Sequence, residues 1–272
     1  MKYQNFNSSC VFTAMANMLE SYDIDVEDYD IVKSIYIPYQ LRFERNSYIN
    51  AYKLQSKFWL DLYLNKHNLE IINHELDLEE KIKMLKNSVH ELKVSVKFPN
   101  ERGHALVFNN YENEKFKFTN IRHKKDDAPD YKYFTEDELR SILFPKSPIG
   151  EYKEKICENF IGWEYVFKES LEVLDNYEKD IFEDFEIYKS AKEHLDDRER
   201  LYFPLLLGLP SMMELEGEND FVAKLLLLRD QYLKAIKSGE SFCLKDKLDS
   251  DLLQNCIIDF KILIKKKLDV IL

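Results

Sequence analysis

The segment at residues 103–122, GHALVFNNYENEKFKFTNIR, constrains the fold more than any other part of the chain. Two short apolar runs flank the turn-rich NYENE, which is the pattern of a β-hairpin. Side chains alternate along a strand, so two triplets share one face of this hairpin: His104, Leu106 and Phe108, and then Phe116, Phe118 and Asn120. A register centred on Glu112 places His104 directly opposite Asn120, at the open end of a buried apolar face.

A cysteine begins the first apolar helix that the sequence predicts. Ser8 and Ser9 can cap a helix from about Cys10 to Tyr22, whose apolar residues fall on one stripe. The thiol has two interpretations. Free cysteine is often a buried packing residue, whereas a thiol at a helix N-terminus has a lowered pKa and reacts as the thiolate. The choice depends on partners elsewhere in the chain.

Helices and strands are mixed up to about residue 148, and helices alone are predicted after it. The first part contains further predicted elements: a helix over 49–65, strands in LEIINHEL and ELKVSVKF, a helix capped by Asp77, and a helix opened by the capping box of Thr135 and Glu138. The Pro-containing FPKSPIGEY marks a boundary. We therefore predict an α+β domain over residues 1–148, with the Cys10 helix packed on a twisted antiparallel sheet, and an all-α domain over residues 149–272.

Charge and apolar patterning exclude several classes of function. The chain has 39 Lys and Arg against 50 Asp and Glu, a net charge of −11, which argues against nucleic acid as a partner. No apolar run is long enough to span a membrane, and no signal peptide is visible, so we expect a cytoplasmic protein. The acidic stretch over residues 151–199 indicates either a solvated helix face or an acidic docking surface. The sequence leaves the oligomeric state open.

The distribution of cysteine and histidine gives no metal-site pattern. The four cysteines are widely spaced: Cys10, Cys157, Cys243 and Cys256. They form no CxxC pair, the histidines form no HExxH or comparable spacing, and the glycine-rich motifs of nucleotide sites are missing from the sequence. We therefore expect no metal, no cofactor and no structural disulfide.

Four residues fit the requirements of thiol catalysis. A nucleophilic Cys10 needs a base, for which His104 is suited, and the histidine needs an orienting acceptor on its other ring nitrogen, for which Asn120 is suited. The Gln4 side chain and the backbone N–H of Cys10 would donate to the developing oxyanion. A different hairpin register would bring one of two other asparagines to the histidine: Asn109 or Asn110.

The order and spacing of these residues resemble a known family. Papain-like cysteine peptidases have the order Gln, Cys, His, Asn, and the spacings Gln4-x5-Cys10 and His104-x15-Asn120 are similar to those of the bacterial branch that cleaves double-glycine leader peptides. In that branch the histidine also opens an apolar strand, as in HALVF. The resemblance covers roughly residues 1–145 and implies a papain-like first domain. Two positions depart from the pattern: Val11 replaces the usual Gly or Trp, and Asn120-Ile121 replaces Asp-Pro.

A second resemblance concerns the layout of the chain. It is similar to the papain-like acyltransferases of the butirosin-biosynthesis H type, which begin almost at the cysteine and carry a helical C-terminal half. The resemblances imply a cysteine hydrolase, a peptidase or amidase, that acts on a peptide through a thioester acyl-enzyme. Two alternatives stay open: an acyltransferase of small-molecule biosynthesis with a carrier-bound acyl donor, and a non-catalytic binding module on the same fold.

Overall fold

The computed structural model describes residues 10–99, 103–120, 130–155 and 162–272. The strands are β1 Leu41–Glu44, β2 Ser47–Asn50, β3 Leu69–His74, β4 Leu92–Lys97, β5 Gly103–Glu112, β6 Lys115–Asn120, β7 Tyr131–Phe134 and β8 Ile149–Glu154. The helices are α1 Cys10–Leu19, α2 Asp28–Ser34, α3 Lys57–Leu64, α4 Leu78–Asn87, α5 Glu136–Ile142, α6 Trp163–Phe185, α7 Ala191–Asp197, α8 Leu209–Leu215, α9 Asn219–Lys237 and α10 Ser250–Ile271. A π-helix, Arg198–Gly208, lies between α7 and α8.

The chain divides into two compact units, one of Met1–Ile35 with Gln55–Phe160, the other of Tyr36–Leu54 with Ile161–Leu272. The first unit combines helices with an antiparallel sheet of six strands, in the order β3-β8-β4-β5-β6-β7. One face of this sheet is apolar, and helices α4 and α5 pack on it. The buried side chains of that face are Leu92, Val94, Val96, Leu106, Phe108, Phe116 and Phe118.

Helix α1 is buried over nearly its whole length. It packs against α2, β4 and β5, and every residue from Phe12 to Leu19 is buried. Two of its buried polar side chains donate hydrogen bonds to other protein groups. Asn17 Nδ2 donates to the Thr13 carbonyl at 2.9 Å, and Thr13 Oγ1 donates to Asp28 of α2 at 3.3 Å. This packing fixes the position of α1 relative to the start of β5.

The hairpin β5–β6 is confirmed, but its register differs from the predicted one. The turn is formed by Asn113 and Glu114, which both have positive φ, 50° and 60°, as a two-residue type I′ turn requires. Asn120 pairs with Leu106, and therefore His104 lies two residues beyond the position opposite Asn120. A shift of two residues keeps every side chain on its face, so His104 and Asn120 still share one face.

A β-bulge at Asn109 makes this arrangement possible. Next to the turn, Asn110 pairs with Lys117, and continuing that register would place Phe108 opposite Thr119 and turn His104 to the other face. The extra residue moves the register by one, so that Phe108 pairs with Phe118. The Asn109 side chain is held in place, donating to Glu91 and accepting from Thr119 Oγ1, both at 2.9 Å.

The second unit contains helices α6–α10, the π-helix and the hairpin β1–β2. Arg42 on β1 is buried, and its guanidinium donates to Ser170 Oγ and to the Val166 carbonyl, both at 2.9 Å, and lies 3.5 Å from the Glu169 carboxylate. A buried cation is stabilised only when it is paired and hydrogen-bonded, and α6 supplies these three partners. None of the described helices combines the length and apolar character needed to cross a membrane.

The spatial division differs from the predicted boundary between residues 148 and 149. Strand β8 follows that boundary but pairs with β3 and β4 in the first unit, whereas residues 36–54 belong to the second unit. The prediction of a helix over 49–65 is wrong in its first part, where residues 47–50 form β2 and the helix begins at Lys57. The helix cap at Asp77 and the capping box at Thr135 are confirmed.

A substitution at Gly150 on β8 tests how closely the side chains of neighbouring strands pack against this position. A Cβ at this position would lie 2.9 Å from Ile71 Cδ1 and 3.2 Å from Lys93 Cε. Gly150→Ala should therefore lower the free energy of unfolding by about 1–3 kcal/mol, the usual cost of overpacking, measured by urea denaturation. Ile71→Val removes the Cδ1 atom, so the double variant should lose less than the sum of the two single losses. Additive losses would contradict the close contact.

Candidate active site

Cys10 is the first described residue of α1, and its side chain is half-buried. Burial raises the pKa of its thiol, but four favourable interactions outweigh that effect and bring the pKa below its ordinary value. They are a hydrogen bond with the His104 side chain, a hydrogen bond from the Ala105 backbone N–H, and the positive charges of His104 and Lys93. The thiolate is the nucleophilic form of cysteine, so this environment favours reaction at Cys10.

His104 lies near the start of β5, with its ring between two partners. Its Nε2 lies 2.7 Å from Asn120 Oδ1 at the end of β6. Because Nε2 is engaged by the asparagine, Nδ1 is the ring nitrogen left for the Cys10 thiol. The diagonal placement of the two residues on one face of the hairpin, set by the bulge at Asn109, accounts for this contact.

Asn120 is itself held by Asp130, a residue that the sequence analysis did not identify. Asn120 Nδ2 donates to Asp130 Oδ2 at 2.6 Å, and the Asn120 backbone N–H donates to the Asp130 carbonyl at 2.9 Å. Lys132 lies 3.3 Å from the other oxygen of this carboxylate. Asp130 directly precedes β7, which pairs with β6, and only that pairing brings the two residues together.

Lys93 on β4 is the second residue that the sequence analysis missed. Its side chain lies against Gly150 of the neighbouring strand, whose missing Cβ leaves room for the lysine stem. Burial lowers the pKa of Lys93, and the nearby Cys10 opposes that effect by favouring the ammonium form. The alternation of ELKVSVKF marks Lys93 only as a polar strand position, and nothing in that pattern indicates a thiol nearby.

The structure thus brings three of the four candidate residues together: Cys10, His104 and Asn120. Gln4 lies outside the described residues, so its role as an oxyanion donor stays a prediction. Asn120 occupies the position beside His104. The Asn109 side chain instead binds Glu91 and Thr119, and Asn110 lies on the turn side of the bulge. Within the described ranges no three His, Cys, Asp or Glu side chains are placed to hold a metal ion.

The other cysteines differ from Cys10. Cys157 lies outside the described residues. Cys256 is buried in α10, where burial and then the charge of Asp259 raise the pKa of its thiol to about 12. Cys243 is half-buried, with its Sγ 3.5 Å from the Glu186 carbonyl. Cys243 and Cys256 therefore serve as internal reference thiols.

Comparisons with known proteins give a partial likeness. No family model and no curated protein matches the chain. Among solved structures, it is similar to the peptidase domain of Streptococcus ComA, a bi-functional ABC transporter involved in a quorum sensing pathway, with a TM-score of 0.41 and 9% identity over 57% of this chain and 97% of that chain. It is also similar to a double glycine motif protease from an AMS/PCAT transporter in complex with the leader peptide, with a TM-score of 0.39 and 11% identity over 56% of this chain and 89% of that chain.

A third similar structure is a periplasmic domain of the EpsAB fusion protein of the Vibrio vulnificus type II secretion system. Its TM-score is 0.23, with 13% identity over 32% of this chain and 33% of that chain. The neighbours with the two higher scores are the peptidase domain of an ABC transporter and a double glycine motif protease. All three TM-scores lie below 0.5, so the chemistry of this chain has to be inferred from its own contacts.

Thiol alkylation tests the environment of Cys10. At about pH 6, iodoacetamide should label Cys10 faster than Cys243 and Cys256, as followed by peptide mass spectrometry, because its pKa is lowered. His104→Ala removes a hydrogen bond and a charge, and we expect roughly 10-fold slower labelling, the effect of a one-unit rise in pKa. Equal labelling of the three cysteines, or a rate independent of His104, would leave Cys10 as a packing residue.

Lys93 makes a separate contribution that can be tested. Lys93→Met keeps the length of the stem but removes the positive charge, so the thiolate loses stabilisation and the pKa of Cys10 rises. The pH profile of Cys10 alkylation should then move to higher pH. Lys97→Met is the matched control, because Lys97 is an exposed lysine on the same strand. Equal profiles for the two variants would show that the Lys93 charge does not reach the thiol.

Proposed function

We propose that the chain is a papain-like cysteine hydrolase, a peptidase or amidase, that acts through a thioester acyl-enzyme. One observation carries the proposal: the thiol of Cys10, with its pKa lowered, is hydrogen-bonded to His104, and the other ring nitrogen of His104 lies 2.7 Å from Asn120. This reaction requires a nucleophile, a base and a residue that orients the base, and these three residues supply them in the proposal. We assign catalysis to the first unit, which contains all three of these residues.

The proposed reaction begins with proton transfer from the Cys10 thiol to Nδ1 of His104. The thiolate attacks the carbonyl carbon of an amide or thioester, and the carbonyl oxygen becomes an oxyanion. Gln4 and the backbone N–H of Cys10 are the proposed donors to that oxyanion. His104 then protonates the leaving group, whose departure leaves a thioester on Cys10. Water, deprotonated by the same imidazole, hydrolyses the thioester and returns the free thiol.

The proposed substrate is a peptide or a carrier-bound acyl group. A peptide with a double-glycine leader is the first natural substrate class to test, because the spacings Gln4-x5-Cys10 and His104-x15-Asn120 resemble those of the leader peptidases. The same thioester would react with an amine in an acyltransferase. The two reactions share every step up to the acyl-enzyme, so an assay of that intermediate tests the catalytic proposal independently of the natural substrate.

An activated ester provides this assay. With p-nitrophenyl acetate, the protein should release one equivalent of nitrophenolate rapidly and then turn over slowly, with an acetyl group on Cys10 seen by peptide mass spectrometry. His104→Ala should lower the acylation rate by about 100-fold or more, the range of general acid–base catalysis, and Cys10→Ser should abolish the burst. Cys243→Ser is the control and should behave as the wild type.

The remaining outcomes separate the alternatives. Acetylation that stops at one equivalent and does not depend on His104 would contradict the proposal and favour a binding module. An acetylated amine as the main product when a primary amine is added would favour acyl transfer over hydrolysis. Predominant release of acetate under the same conditions would favour the hydrolase.

A further inference from the structure

We propose that Asp130 is a positioning residue of this site, one that fixes the orientation of Asn120 and, through it, the tautomer of His104 that faces Cys10. The inference rests on the proposed function and deepens it by extending the hydrogen-bonded chain by one residue. It follows from the hydrogen bonds from Asn120 to Asp130 and from His104 to Asn120.

The first step is the orientation of the Asn120 amide. An ionised carboxylate only accepts hydrogen bonds, whereas an amide side chain has one donating end and one accepting end. The amide therefore has to turn its Nδ2 toward Asp130, where the distance to Oδ2 is 2.6 Å. Its Oδ1 is then the atom left to face His104. Without the carboxylate, the two ends of the amide could exchange places.

The second step is the tautomer of the imidazole. Since Asn120 Oδ1 only accepts, the nitrogen that lies 2.7 Å from it, His104 Nε2, has to carry a hydrogen. In the neutral ring Nδ1 is then unprotonated and can take the thiol proton of Cys10. A reversed amide would present N–H groups to Nε2 and favour the opposite tautomer, whose Nδ1 already carries a hydrogen and cannot act as the base.

The backbone supports the same geometry. The Asn120 N–H donates to the Asp130 carbonyl at 2.9 Å, and the next pair along, Thr119 with Tyr131, belongs to the β6–β7 ladder. Asp130 is therefore fixed in register beside Asn120. Its side chain is mostly buried, 18% exposed, and Lys132 at 3.3 Å partly offsets its charge.

The pair also explains why the orienting residue is an asparagine. An aspartate can orient a catalytic histidine as well, but at position 120 it would place two carboxylates at hydrogen-bond distance. Such a pair has to share a proton or move apart, because two adjacent like charges oppose each other's ionisation. The amide at position 120 and the carboxylate at position 130 are thus complementary, and exchanging both should preserve the contacts that exchanging one destroys.

The reciprocal exchange is the experiment. Asn120→Asp should slow Cys10 alkylation and acylation by p-nitrophenyl acetate by about 10-fold, a coupling within the range for interacting pairs, and should shift the pH profile of alkylation. Adding Asp130→Asn should restore both rates to within about 3-fold of the wild type and return the pH profile. Asp130→Ala should slow both reactions, whereas Asp137→Asn, which removes a charge from an exposed position on α5, should not.

The outcomes distinguish this inference from the proposed function. If wild-type Cys10 is no more reactive than Cys243 and does not depend on His104, the proposed function fails. If Cys10 is reactive and depends on His104, but the double variant is as slow as Asn120→Asp, only the role of Asp130 is wrong. Circular dichroism of each variant reports folding. A double variant that regains neither fold nor reactivity also overturns the proposal.

Discussion

The 2.7 Å hydrogen bond between His104 and Asn120 is the contact on which the candidate site depends. Both residues belong to one hairpin, so the contact requires that their side chains leave the same face of two neighbouring strands. The register set by the two-residue turn alone would place the two side chains on opposite faces of the hairpin. The bulge at Asn109 shifts the register by one residue, so that they share a face. One additional backbone residue thus decides whether the imidazole meets its partner, and the side chain of that residue is fixed by two hydrogen bonds.

The Cys10 thiol illustrates how burial and charge compete at one position. Burial favours the neutral thiol both at Cys10 and at Cys256. At Cys256 a carboxylate adds to that effect, and the pKa rises to about 12. At Cys10 the hydrogen bonds of His104 and Ala105 and the charges of His104 and Lys93 reverse it. The thiolate is therefore disfavoured at Cys256 and favoured at Cys10 because of the neighbours of each thiol.

The sequence predicts those features of the hairpin that stay the same when its strand register is wrong by two residues. The shared face of His104 and Asn120 follows from alternation alone, and a slip of two residues does not change it. The NYENE segment predicts a turn but not which two of its residues form it, and the bulge leaves no pattern in the sequence, so the predicted register is wrong. Asp130 and β8 depend on pairing between distant segments. The helix expected over 49–65 began too early because residues 49 and 50 pair with β1, and the local sequence pattern does not show that pairing.

The hydrogen-bonded chain also limits where the chemistry can occur. With Nε2 bound to Asn120, only Nδ1 of His104 can exchange protons, and it lies on the side of the thiol. In the proposed reaction the imidazole therefore protonates the leaving group and later activates the acceptor through the same ring nitrogen. Either acceptor, water or an amine, would be deprotonated by the same nitrogen, Nδ1 of His104, so the three residues do not distinguish between the two acceptors. In the proposed reaction, the choice between hydrolysis and acyl transfer consequently depends on which acceptor reaches the thioester, and not on Cys10, His104 and Asn120.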